Sequence, residues 1–66
     1  MMTKLSLEVK VADILSRKNV EFLDDPKRNE RIIKCRDPRR SLTRQEKNTL
    51  NLYFAMIKLP MKIVFE

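Results

Sequence analysis

Nine basic side chains fall between Lys27 and Lys47, against three acidic ones, Glu30, Asp37 and Glu46. The net of +6 over that stretch equals the formal net charge of the whole 66-residue chain, because the remainder holds six basic and six acidic residues. Six of the nine are arginine, whose planar fork matches phosphate and carboxylate better than the point charge of lysine. A short echo organises them. Asp25-Pro26-Lys27-Arg28 and Asp37-Pro38-Arg39-Arg40 repeat the same turn chemistry twelve residues apart, each ending in a basic pair. If the segment between is extended, a rise of ~3.3 Å over about eight residues sets the pairs roughly 25 Å apart. Two positive clusters with a basic strand face between them suit a polyanion, and Arg28, Lys34, Arg36, Arg39, Arg40 and Arg44 are the candidate phosphate contacts.

Much other chemistry is excluded by composition. There is no His and a single Cys, which removes thiolate and imidazole zinc cages, an internal disulfide, and the usual general base for Ser or Cys catalysis. There is no Gly, so a Walker loop, a dinucleotide fingerprint, the KH clamp loop and the RRM strand motif are all absent. The expected catalytic residues, metal ligands and cofactors are therefore none, and the chain reads as a binding module, not an enzyme. Cys35 among cations has some thiolate character to weigh, but a small core residue is the simpler reading. Asp24 and Asp25 beside Pro26 read as a turn and not as an acid and base pair. The spacing of Lys27-Arg28 and Arg39-Arg40 also fits a bipartite nuclear import signal, although Ile32-Ile33 suggests that the gap is folded.

The elements that must position these residues follow from periodicity. Residues 4–11 alternate, with Leu5, Leu7, Val9 and Val11 on one side and Lys4, Ser6, Glu8 and Lys10 on the other, which predicts a half-buried strand. Leu7, Val11, Ile14 and Leu15 also line up at helical spacing, and the β-branched valines weigh against that helix slightly. Ala12 to Lys18 reads as a short helix closed by Asn19, a residue that tolerates left-handed backbone. Val20–Leu23 and Arg31–Cys35 read as strands stopped by Asp-Pro turns, with Ile33 and Cys35 facing the core. Thr43-Arg44-Gln45-Glu46 matches a capping box and starts a helix from about Arg44 to Lys58, ended by Pro60. Met61, Ile63 and Phe65 then alternate with Lys62, Val64 and Glu66 as a closing strand.

The fold class expected is therefore α+β in one small domain over residues 1–66. Its order is β-α-β-β-α-β, a minimal ferredoxin-like arrangement, or a three-stranded sheet packed by one long C-terminal helix. The last two turns of the long helix are apolar on most sides, and Tyr53, Phe54, Met56 and Leu59 are the candidate interface of a homodimer. No run approaches the length that spans a bilayer, and the first residues lack the apolar core of a secretory leader. A cytoplasmic setting is expected, with nucleoid or nucleus compatible. The functional expectation is a small, basic, regulatory nucleic-acid-binding protein that contacts the phosphates of DNA or RNA. The alternative is an accessory or inhibitor protein that docks on an acidic surface of a larger enzyme or nucleoprotein complex.

Overall fold

The computed structural model describes residues 3–66. They form α1 (Lys4–Arg17), β1 (Val20–Asp25), β2 (Glu30–Cys35), α2 (Arg44–Met56) and β3 (Lys62–Phe65). The class is α+β, but the chain opens with a helix, so neither expected order holds. The sheet does have three strands, yet two helices pack on it, and α1 at 14 residues is longer than α2 at 13.

The strand predicted over residues 4–11 is the first half of α1. Thr3 caps it, its hydroxyl accepting from the Ser6 N–H at 3.1 Å. Leu7, Val11 and Ile14 then form one buried stripe, while Leu5 and Val9 stand 71% and 64% exposed on the other side. Period two would bury all four of Leu5, Leu7, Val9 and Val11 together. The helical stripe instead continues through Ile14 and reaches both α2 and the sheet, and that burial outweighs the small propensity cost of two valines. Asn19 closes α1 with φ 50°, as its residue type predicted. The reading of the first residues as lacking a leader falls in part on Met1 and Met2, which lie outside the described residues.

Strand order is β1-β2-β3, with β1 and β2 antiparallel and β2 and β3 parallel. The register fixes two faces. Val20, Phe22, Ile33, Cys35, Ile63 and Phe65 lie under the helices, and the core gathers Val11, Ile14, Ile33, Leu42, Leu50 and Phe54. Leu23, Ile32 and Val64 form a row across the opposite face, which no element covers. The molecule measures 35 × 29 × 17 Å, the thickness of one sheet and one helix layer.

With no glycine in the chain, three other residues among those described take left-handed backbone: Asn19, Asn29 (φ 54°) and Lys58 (φ 54°). Lys58 ends α2. Its N–H donates to the Ala55 carbonyl and the Leu59 N–H donates to the Phe54 carbonyl, the paired bonds of a Schellman motif. The helix therefore stops at Met56, short of the expected Lys58, before Pro60 acts.

Candidate functional site

Three segments converge at one end of the molecule: the end of α1, the loop after β2 and the start of α2. The Arg36 N–H donates to the Asn19 carbonyl at 3.0 Å, extending the ladder past Cys35 and bringing Arg36 beside the end of α1. Arg40 donates through Nη1 to the Arg17 carbonyl, tying the loop to the C-terminal end of α1. Lys18 Nζ lies 3.7 Å from Glu46 Oε1, which joins that end to the first turn of α2. Arg17, Lys18, Arg36, Arg39, Arg40 and Arg44 thus share one pole with Asp13, Asp37 and Glu46.

The carboxylates there are already occupied. Asp37 accepts from the Arg39 backbone N–H at 2.9 Å and from its guanidinium at 3.3 Å, and Arg40 Nε lies 3.8 Å away. Those bonds, the backbone one first and Arg40's charge last, hold the Asp37 carboxyl below the usual range. Glu46 accepts the Thr43 N–H at 2.8 Å while Thr43 Oγ1 accepts the Glu46 N–H at 3.1 Å, completing the predicted capping box. The bond from the Thr43 N–H is the main cause of a lowered Glu46 pKa. Between the helices at this pole lies a groove of about 520 Å³ whose lining includes Lys10, Arg17, Lys18 and Thr43.

Of the six predicted contacts, Arg36, Arg39, Arg40 and Arg44 meet at this pole and are exposed. Arg28 does not join them. It sits in the β1–β2 turn at the far end of β2, about 20 Å of strand away. There Asp25 accepts the N–H groups of Lys27 and Arg28, so Asp25 is the turn residue expected. Lys34 lies on the uncovered sheet face, opposite Glu21. Among the described residues, Arg28, Lys34, Arg36 and Arg44 form no ion pair.

The expected basic strand face between the clusters is absent. Arg31 faces the helices, and the uncovered side carries Glu21, Asp25 and Glu30 against Lys34 and Lys62, so it is net negative. Sequence reasoning missed Arg31 as a structural residue. It forks onto Asp24 at 2.9 and 3.1 Å, and its Cζ lies 5.2 Å from the Phe22 ring centre and 5.9 Å from that of Phe54. The side-chain bonds lower the Asp24 pKa and raise that of Arg31. The available signal was register, since a hairpin closed at Pro26–Asn29 sets Asp24 opposite Arg31.

The predicted dimer residues divide in the same way. Phe54 is 5% exposed in the chain's own core, against Phe22 and Tyr53 with ring centres 6.0 and 5.7 Å away. Tyr53 and Leu59 are half-buried against that core, and Met56 remains exposed beside Leu52 and Ile57. Cys35 packs half-buried against the core. Among the described residues, no helix is long and apolar enough to cross a membrane, and no cluster of His, Cys, Asp and Glu has the makings of a metal site. Compared with protein-family models, curated proteins and solved structures, the chain matches none of them.

Proposed function

We propose that this protein is a small regulatory nucleic-acid-binding protein whose contacts to phosphate come from the pole of Arg36, Arg39, Arg40 and Arg44. One observation carries the reading. Three separate segments bring arginines to a single end, where Asp37 is taken up by a turn, Glu46 by a cap and Asp13 by Arg17, and where Arg36 and Arg44 make no ion pair among the described residues. Arg39 and Arg40 share Asp37, which orients both forks without neutralising the pair. Phosphate contacts of this kind release counterions. With about four to six of them on duplex DNA, log affinity should fall against log salt with a slope of roughly −4 to −5. The test is binding of a generic duplex and a generic single strand across a salt series. A slope near zero, or no binding at low salt, overturns the proposal.

The second reading, an accessory protein docked on an acidic protein surface, draws on a different observation. Leu52, Met56 and Ile57 stay exposed along the end of α2, and Leu5 and Val9 along α1. Capture from lysate with and without nuclease separates the two. Protein partners that survive nuclease favour docking, and partners lost with the nucleic acid favour phosphate binding. A homodimer held through Met56 and its exposed neighbours is compatible with either.

A further inference from the structure

We infer that α2 is a helix that reads the major groove of duplex DNA, with Asn48 and Asn51 addressing base edges. The inference rests on the nucleic-acid reading above and narrows it to one form of nucleic acid. The exposed residues of α2 are Arg44, Gln45, Asn48, Asn51, Leu52, Ala55 and Met56, and none is acidic. Its one carboxylate, Glu46, is half-buried and engaged by the Thr43 N–H and by Lys18. At 3.6 residues per turn, Arg44, Asn48, Asn51 and Ala55 fall in a single stripe about 60° wide. On the opposite side of the helix, Glu46, Thr49 and Tyr53 line the grooves shared with α1, so the first helix does not obstruct the stripe.

The stripe suits a groove in shape and in charge. Its two asparagines occupy the middle, Ala55 at its C-terminal end adds no bulk, and α2 is about 20 Å long. Cations stand at both ends. Arg40 and Arg44 lie at the start, and Lys58 and Lys62 follow its end, where they make no ion pair among the described residues. The major groove of B-form DNA, about 12 Å wide, admits an α-helix, and Asn reaches adenine there through two hydrogen bonds. The major groove of A-form RNA is too deep and narrow for side chains to read, so the partner is duplex DNA. The other large faces do not compete. The uncovered sheet face is net negative and has no aromatic side chain on which to stack a base, and the outer side of α1 presents Leu5, Val9 and Asp13.

The experiment selects preferred duplexes from a pool of randomised duplex DNA. It then measures wild type, Asn48→Ala, Asn51→Ala and Arg36→Gln against the selected duplex, a scrambled duplex and duplex RNA of the same sequence. Wild type should prefer the selected duplex to both others. Asn48→Ala or Asn51→Ala should weaken that complex roughly 5- to 150-fold and leave the scrambled one unchanged. Arg36→Gln should weaken both DNA complexes and flatten the salt slope by about 1. Both asparagines are exposed and Ala is the better helix former, so thermal melts at or above wild type show that these variants fold. No enriched sequence, equal affinity for duplex DNA and duplex RNA, or unchanged binding by both Asn variants overturns the groove inference while leaving phosphate binding in place. Failure to bind any of the three nucleic acids overturns both.

Discussion

Arg31 and Arg36 lie five positions apart in the same basic stretch, and they do opposite work. Arg31 is half-buried between two aromatic rings and a carboxylate, whereas Arg36 is exposed and makes no ion pair among the described residues. Arg31→Ala should therefore destabilise the domain by about 1 to 2 kcal/mol, through the lost cation–π contact and the packing of its stem. Arg36→Gln and Arg44→Gln should stay within about 0.5 kcal/mol of wild type while weakening nucleic-acid binding. Denaturant titration and the salt series, run on the same three variants, check both halves of that statement. The carboxylates Asp24, Asp37 and Glu46 add a dependence on pH. Each is held below its ordinary range in the folded protein, so the unfolded chain binds the proton more readily. Their stabilisation is whole above the unfolded carboxylate pKa of about 4 and is lost as pH falls through the lower folded values. Melting temperature should hold level from about pH 7 to 5 and drop below about pH 4. Glu46→Gln should melt lower at neutral pH and lose less on acidification.

At the scale of the element, α1 and the end of α2 each make a claim that one substitution decides. A strand over residues 4–11 would bury Val9 as deeply as Val11, and the helix separates them. Val11→Ala should cost about 1 to 3 kcal/mol for lost burial and the cavity left behind. Val9→Ala should be neutral or slightly stabilising, because Ala has the higher helix propensity. Equal losses from the two would restore the strand. Lys58 is the second case. Its left-handed backbone at the close of α2 costs a side-chain-bearing residue energy that glycine does not incur. Lys58→Gly should raise stability by about 0.5 to 1 kcal/mol, and Lys58→Ala should not. Thermal melts of the pair read the difference directly.

The whole molecule exposes 5052 Å² of accessible surface, against about 4400 Å² expected for a folded monomer of this mass. Among the described residues seven buried hydrophobic side chains make a small core, with as many large hydrophobics left exposed. A domain so built gains from a partner that covers Leu52, Met56 and Ile57. Light scattering at tens of micromolar should give about twice the 7.9 kDa chain mass. Met56→Lys should return the protein to a single chain without unfolding it, since that side chain is 43% exposed. A single-chain mass for wild type would leave the exposed residues of α2 to a different partner, as the docking reading holds.

Local chemistry alone accounts for much of this protein. The capping box at Thr43 and Glu46, the Asp-Pro turns, the left-handed Asn19 and the strands on either side of Pro26 each depend on residues within a few positions of one another. The α+β class and the basic character of residues 27–47 follow from the same short range. Two things did not follow. Residues 4–11 satisfy period two and helical spacing together, and Ile14, one turn further on, tips the balance only because α2 and the sheet are there to bury it. The division of the nine basic residues into two in the β1–β2 turn, Arg31 paired to Asp24, Lys34 opposite Glu21, Lys47 over the Phe65 ring and four gathered at a pole is likewise invisible locally. It depends on the β1–β2 register, on the parallel pairing of β3, and on a loop that returns Arg40 to the end of a helix 23 residues earlier. Composition counts charges, but the carboxylate that each one meets is chosen by contacts between segments distant in the chain.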